Sequence, residues 1–317
     1  MDQNKSVNIR SNIPLAPYTT FKIGGPAKFF CEVKTKAELK KAIAFARKNK
    51  EKIFIIGGGS NLLVNDAGVN GLIIKFSNNS VKIVKNILTA GAGASLADAL
   101  KAATLKGLSG LEWTSGIPRA TIGGGVRGNA GAFGASMGDC VSEIQVYDLK
   151  KNKFMKFTRA ECCFKYRESI FKEEEKYLIW EVKLELKKDD PKKIKNQIME
   201  NLKLRKNTPA IPSAGSAFKN ILLEEIEKAN PELAKRLNRM EAVKFGKVGA
   251  GLIIDKILDL KGKTIGGAKI SEEHGNFIVN TGKATAEDII TLISFIKQQC
   301  RDKLGLELRE EIQYLGF

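Results

Sequence analysis

The sequence predicts an α+β protein assembled in about three pieces. Three features carry that prediction. A helix, a strand, a glycine loop and a second strand follow one another before residue 78. Short alternating strands take over from about residue 80, and the tail pairs one strand with one long capped helix. The pieces are expected at 1–78, 79–200 and 201–317.

Thr35-x-x-Glu38 has capping-box spacing, in which the threonine oxygen and the glutamate each accept a backbone N–H of the other. Leu39, Ala42, Ile43 and Ala46 then recur at helical spacing. IFIIGGGSNLLV (53–64) reads as a buried strand running into a glycine turn, and LIIKF (72–76) as the strand that completes a β-α-β unit. Further strands are NILTAGAGA (86–94), EIQVYDL (143–149) and YLIWEVKLELK (177–187). The last alternates, with Leu178, Trp180, Val182, Leu184 and Leu186 on one face. SLADALKAATLKG (95–107) is a helix. Asp189-Asp190-Pro191 breaks the chain before a basic helix that runs to about Arg205. The tail adds strand GNFIVN (275–280), a Thr285-x-x-Asp288 cap and an amphipathic helix to about Lys303.

With 317 residues, 43% hydrophobic and 28% charged, the chain is long and mixed enough to bury a sizeable core. No apolar run reaches the roughly 18 residues that span a bilayer, and MDQNKSVNIRSNIPL lacks a signal-like apolar core. A cytoplasmic protein without membrane insertion is expected. Five cysteines without C-x-x-C, and a single histidine, His274, point to reduced thiols and no metal site. The net charge of +18 is open to nucleic acid, to anionic small molecules or to a lysine-rich surface. Nucleic acid is set aside, because basic residues are mixed with acids, as in FKEEEK (171–176), and no basic run is interleaved with aromatics.

Two glycine-rich loops stand out. Gly57-Gly58-Gly59-Ser60-Asn61 follows a strand, where consecutive glycines can point backbone N–H groups into an anion nest. No Gly-Lys-Ser/Thr closes it as a P-loop. GIPRATIGGGVRGNAGAFG (116–134) is the second, with seven glycines. Each alone is equally a tight structural turn. The pair suggests a long phosphate-bearing cofactor, with Asn129-Ala130-Gly131 against a ring edge. Gly91-Ala-Gly93 lacks the third glycine of a dinucleotide fingerprint and a leading β-α-β. Tyr166-Arg167-Glu168-Ser169 and the small-residue loop PSAGSAFKN (212–220) are further candidates, the first equally a surface salt bridge or stack. No G-x-S-x-G exists, which argues against a serine hydrolase. Glu310-Glu311 would ordinarily be a charged pair on a strand.

These loops, in this order, resemble the UDP-N-acetylenolpyruvoylglucosamine reductase family, flavoenzymes that complete UDP-N-acetylmuramic acid for bacterial cell-wall synthesis. The resemblance runs through TFKIGG (20–25), GGGSNLLV, SGIPRATIGGGVRGNAGAFG, YRESIF, PSAGSAFKN, LKGKTIGGAKIS with NFIVN, and LREEIQYLG. It implies a two-subdomain FAD-binding fold of the vanillyl-alcohol-oxidase type, followed by a C-terminal α+β substrate-binding domain. It implies bound FAD and NADPH as hydride donor. The FAD would lie against Ile56, Gly57, Gly58, Gly59, Ser60 and Asn61, against Ser115, Gly116 and Ile117, and against Gly123, Gly124, Asn129, Ala130 and Gly131. The UDP-sugar enolpyruvyl ether would meet Tyr166, Arg205, Lys219, Asn220 and His274. By match to the motifs, Arg167 would stabilise charge developing on C2 and its carboxylate, and Ser216 would protonate C2. Glu311 would help if protonated or hydrogen-bonded to that carboxylate.

Some positions depart from the family pattern. Arg119 stands where glycine is common, Ile221 stands where proline is common, and LLEEIEKANPELAKRLNRM (222–240) is an extra helical segment. No tyrosine-bearing loop lies between Arg167 and Ser216. The alternatives are a flavin-binding module without catalysis or a related FAD oxidase, and intact Arg167, Ser216 and Glu311 argue against the first. A monomer or weak oligomer is expected.

Overall fold

The computed structural model describes residues 7–317, which divide into two compact units. The first comprises the described residues up to Ile13, then Ala27–Gly58 and Asn70–Lys206. The second comprises Pro14–Pro26, Gly59–Val69 and Asn207–Phe317.

In the first unit the expected capping box forms at Thr35 and Glu38, and helix Lys36–Lys48 buries Leu39, Ala42, Ile43 and Ala46. It connects strand Pro26–Val33 to strand Ile53–Ile56. Strand Val69–Phe76 slots between these two and runs parallel to Ile53–Ile56. A five-stranded antiparallel sheet follows, in the order Lys153–Thr158, Val141–Asp148, Tyr177–Glu185, Ile87–Gly91, Val81–Val84. Leu178, Trp180, Val182 and Leu184 are buried as the alternation requires. Ile179 is buried too, beside a register shift between Gln145 and Val146 on the neighbouring strand. Trp180 sits edge-on to Phe76 at 5.7 Å, joining the two sheets' apolar faces in one core. Helix Leu96–Leu105 covers that core, capped by Ser95.

The Gly91 and Gly93 backbone is bare because other main chain lies against it. A Cβ on Gly91 would stand 1.9 Å from the Asn78 carbonyl oxygen. The segment is packed on main chain.

The second unit has an antiparallel sheet in the order Ser213–Ser216, Phe277–Asn280, Ala268–Ile270, Thr264–Ile265. Helix Ala286–Leu304 lies on it, with a capping box at Thr285 and Asp288 and a left-handed Gly305 at its end. Ile289, Leu292, Ile293, Ile296 and Cys300 form its buried stripe. The C-terminal strand Gln313–Leu315 pairs in parallel with Leu62–Val64. Phe21, Ile23 and Leu63 are buried in this unit's core, which draws the two N-terminal segments into it. The extra segment after Asn220 is two helices, Leu223–Ala229 and Pro231–Arg239, because Asn230 caps the second and Pro231 opens it.

All five cysteines are free thiols. Among the described residues no cluster of three metal-ligating side chains forms, and no helix is long and apolar enough to cross a membrane.

Candidate active site

In the first unit, Lys165 and Glu168 exchange both backbone hydrogen bonds at 3.1 Å, which leaves Tyr166 and Arg167 at the tip of a two-residue turn. Arg167 takes φ +58°, a left-handed conformation that costs a non-glycine residue about 1–3 kcal/mol and persists only when its surroundings hold it. The surroundings do so. The Asn129 carboxamide donates to the Lys165 carbonyl at 2.8 Å and accepts the Gly138 N–H at 2.9 Å. Ser169 Oγ donates to the Arg127 carbonyl at 2.6 Å, and Lys172 Nζ donates to the Arg167 carbonyl at 3.1 Å. The guanidinium itself is aimed by a 2.8 Å bond from Nη1 to the Gly131 carbonyl. It also lies 5.7 Å from the Tyr166 ring centroid. Asn129 and Gly131 thus brace this arginine.

Arg205 follows helix Pro191–Leu204. Its Nη2 donates to the Trp113 carbonyl at 3.0 Å, and its guanidinium rests 5.0 Å from the Phe133 ring centroid. Its aliphatic stem runs beside exposed Gly116, where a Cβ would come within 3.0 Å of Arg205 Cδ. Burial pulls its pKa down, and the positive charge of Arg167 adds to the effect. It stays protonated, so this is a desolvated cation beside another cation. Arg205 Nε, Trp113 Nε1 and Ser115 Oγ are all buried without a hydrogen-bond partner among the described residues.

The glycine loops are shaped largely by close backbone approach. A Cβ on Gly58 would lie 1.5 Å from the Arg119 carbonyl oxygen, and one on Gly131 2.4 Å from that of Ala135. Ile56 ends its strand buried, with Gly57 half-buried beside Thr121. Gly123 and Gly124 lie in helix Ile122–Arg127, whose opening N–H groups already have acceptors. Ile122 donates to Ala94 at 2.8 Å, Gly123 to Ala92 at 2.9 Å and Gly124 to Thr121 Oγ1 at 3.3 Å. Ile117 and Ala130 are half-buried nearby in sequence.

In the second unit, Gly59 accepts the Thr20 N–H at 3.0 Å, and half-buried Ser60 follows it. The Asn61 side chain donates to the Glu311 carbonyl at 3.0 Å, and the Asn61 carbonyl accepts the Gln313 N–H at 3.0 Å. Ser216 pairs with Phe277 across the sheet, after a left-handed Gly215 at φ +76°. The chain beyond Ser216 is gripped by the segment that carries Glu311. Glu311 N–H donates to the Ala217 carbonyl at 2.8 Å, and Lys219 N–H donates to the Arg309 carbonyl at 2.8 Å. Ser216 and Glu311 therefore stand on hydrogen-bonded neighbouring segments. Glu310 is the structural member of its pair, bonded to Lys297 at 2.6 Å and to the Tyr314 hydroxyl.

Asn220 is exposed and its side chain accepts the Ala250 N–H at 3.4 Å. His274 is partly buried, edge-on to Phe277 at 4.9 Å, and Nδ1 accepts the Asn276 N–H at 3.1 Å. That acceptance puts the proton of the neutral ring on Nε2. Burial holds its pKa below the ordinary histidine value. The residue that motif reading passes over is Asn276, buried beside the Ser216 strand.

Residues 27–156 match the model described as FAD binding domain, and residues 206–315 match that of the UDP-N-acetylenolpyruvoylglucosamine reductase C-terminal domain. The chain is 36% identical over 310 residues to UDP-N-acetylenolpyruvoylglucosamine reductase from Solibacter usitatus, covering 97% of each. It is 37% identical to the protein of that name from Caldanaerobacter subterraneus, covering 96% of this chain and 93% of the relative. The crystal structure of the Thermus caldophilus reductase superposes with a TM-score of 0.76 at 32% identity, covering 98% of both chains. The expected α+β class, an FAD-binding fold followed by a C-terminal domain, is borne out.

Proposed function

The chain belongs to the UDP-N-acetylenolpyruvoylglucosamine reductase family, and we propose that Arg167, Ser216 and Glu311 carry its reaction. It is an FAD-dependent oxidoreductase that reduces the enolpyruvyl ether of UDP-N-acetylglucosamine to UDP-N-acetylmuramate, with NADPH as donor, in peptidoglycan precursor synthesis. The chemistry that FAD would supply when bound is hydride transfer, from NADPH to C3 of the enolpyruvyl group.

The residues present fit such a group. The orphaned Trp113 Nε1 and Ser115 Oγ belong to the first unit and lie within the segment that matches an FAD binding domain. Buried polar atoms rarely go without partners, so they call for a polar ligand. Ser115, Gly116 and Ile117 would hold it, with Ile56 to Asn61, Gly123, Gly124 and Asn129 to Gly131.

The chain's own contributions are charge and a proton. Hydride arrival at C3 leaves negative charge on C2 and its carboxylate. Arg167, pinned by Gly131 in a left-handed turn, presents a preorganised cation for that charge. Ser216 Oγ gives its proton to C2. A serine is a weak acid, so its placement matters, and Lys219, three residues further along the chain, or a neighbour tunes it. Glu311 hydrogen-bonds the substrate carboxylate. Tyr166, Arg205, Lys219, Asn220 and His274 are assigned to the UDP-sugar. The reading extends to a cytoplasmic enzyme, monomeric or weakly associating, without a nucleic-acid partner, built as 1–78, 79–200 and 201–317.

One observation carries this reading: the Ser216 strand is bonded directly to the Glu311 segment, through Glu311 N–H and the Ala217 carbonyl at 2.8 Å. Ser216→Ala tests it by stopped-flow absorbance. Flavin bleaching by NADPH needs no proton at carbon and should stay nearly intact. Reoxidation by the enolpyruvyl substrate should fall by roughly 10²–10⁴-fold, the usual range for a positioned general acid. Equal loss in both half-reactions, or in neither, would remove Ser216 from this role.

A further inference from the structure

The antiparallel ladder beside Ser216 ends abruptly. Ser216 pairs with Phe277, and Ala217 N–H donates to the Asn276 carbonyl at 2.7 Å. Beyond that rung the neighbouring strand turns back, with Phe277 N–H donating to the His274 carbonyl at 2.9 Å. No backbone remains on that side to pair with Phe218. The Asn276 side chain takes its place. Its Oδ1 accepts the Phe218 N–H at 3.0 Å, and its Nδ2 donates to the Phe218 carbonyl at 2.9 Å. A carboxamide has the same donor and acceptor as a peptide unit, so it supplies a complete ladder rung. Asn276 is 3% exposed and Phe218 1%, so water cannot replace that rung. On the opposite edge, Phe218 bridges to Glu310, between the bonds from Glu311 and to Arg309.

We propose that Asn276 is the positioning residue for Ser216: its carboxamide substitutes for the missing strand, fixes Phe218, and so holds Ser216 and the Glu311 segment in register. The proposal rests on the proton-donor reading of Ser216. It adds a residue that touches neither substrate nor cofactor but decides where the donor hydroxyl stands. His274 supports the arrangement from behind, by accepting the Asn276 N–H.

Asn276→Asp is the informative variant, because it is isosteric. An ionised carboxylate keeps the acceptor for the Phe218 N–H and loses the donor to the Phe218 carbonyl. Protonated, it regains an O–H donor and restores both bonds. Stopped-flow reoxidation should be roughly 10- to 100-fold slow at pH 8 and should recover toward wild type as the pH falls and the buried carboxyl takes up its proton. Flavin reduction by NADPH should stay within about twofold, the expectation for a residue acting through the proton donor alone. The thermal midpoint at each pH shows whether the variant is folded. In the Ser216→Ala background the substitution should slow reoxidation no further, since two residues on one path do not multiply.

The outcomes separate cleanly. A silent Ser216→Ala means the donor reading has failed. A slow Ser216→Ala with Asn276→Asp at wild-type rate overturns the positioning role alone. Equal loss in both half-reactions, no acid recovery, or fully multiplicative effects in the double variant also overturn it. Should Asn276→Asp not fold, Asn276→Gln keeps both groups on a longer stem; wild-type reoxidation in that variant refutes the proposal, and selective loss supports it.

Discussion

Replacing Arg205 with methionine separates a scaffold cation from a ligand cation. In the ligand-free protein the substitution has opposing effects. It removes a bond to the Trp113 carbonyl, which costs about 1–3 kcal/mol if that oxygen is left buried and unpaired. It also removes the contact with Phe133, worth about 0.5–2 kcal/mol. Against these stand the desolvation of a guanidinium, several kcal/mol in a real protein, and its repulsion by Arg167. Methionine keeps the stem that runs beside Gly116. The terms nearly offset, so the ligand-free protein should change by less than about 2 kcal/mol. With an anionic ligand the balance is one-sided. A charge-assisted hydrogen bond to a phosphate or carboxylate is worth about 1.5–3 kcal/mol, or a 10- to 150-fold rise in KM for the UDP-sugar. The same charge should make the wild-type KM rise with salt, and Arg205→Met should flatten that slope. Thermal melts without substrate and steady-state kinetics at two ionic strengths measure both quantities. A fall in stability beyond about 3 kcal/mol with KM unchanged would show that Arg205 is a scaffold residue and refute the reasoning.

Gly58→Ala should prevent folding, at a cost above about 4 kcal/mol, because its Cβ would stand 1.5 Å from main chain; Gly249→Ala meets nothing within 4 Å and should fold, as soluble yield and melts will show. Thiol titration at pH 8 should find one fast thiol in the native protein, exposed Cys163, and five after denaturation. Burial pushes Cys31, Cys140 and Cys162 up to about 12 and Cys300 to about 11, so two or more fast native thiols would contradict that burial. His274 is held below its ordinary pKa by burial, so the unfolded chain takes up a proton there that the folded chain refuses. Its contribution to stability is complete above about pH 6.5 and is lost as pH falls from there through the folded value. Urea midpoints at pH 7.5 and 5.5 should therefore drop less in His274→Gln than in wild type; parallel slopes would rule the effect out.

Helices Lys36–Lys48 and Ala286–Leu304 were legible because their ends are written in short-range chemistry, whereas Ile122–Arg127 lay hidden in a glycine-rich stretch that reads as a loop. Thr35 with Glu38, and Thr285 with Asp288, form the capping boxes their spacing predicts. Several strands escaped, among them Ser213–Ser216, which reads as part of a small-residue loop, and two show why. Lys153–Thr158 is an edge strand that buries little beyond Phe157, so its apolar pattern is weak. Pro26–Val33 buries neighbours Phe30 and Cys31 together, which breaks the alternation that marks a half-buried strand. The composition of the second unit was not legible either. Phe21 and Leu63 serve its core from far up the chain, and local periodicity carries no record of which core an apolar residue joins.

The site was legible in its charged and glycine-rich parts, which took in Asn61, Asn129 and Asn220, but the bracing role of Asn129 and the whole of Asn276 went unread. Arginine, serine and glutamate declare their chemistry in any motif. Arg119 shows why glycine suits its position: it sits at φ +55°, and its carbonyl presses on Gly58, so the requirement there is conformational. A buried asparagine carries no such mark, since its pattern does not differ from that of an exposed loop residue. Yet Asn78, Asn129, Asn276 and Asn280 are each buried and each use both ends of the carboxamide on main chain. They stand where a strand or turn has run out of backbone partners. A buried N–H or C=O left unpaired costs about 1–3 kcal/mol, and a carboxamide satisfies one of each. That makes asparagine the smallest side chain able to replace a missing ladder rung. Asn129 does so beneath the Arg167 turn, and Asn276 beside the Ser216 strand. In both places a rigid amide fixes the backbone of a residue whose reach must be accurate, a requirement set by the fold's broken edges.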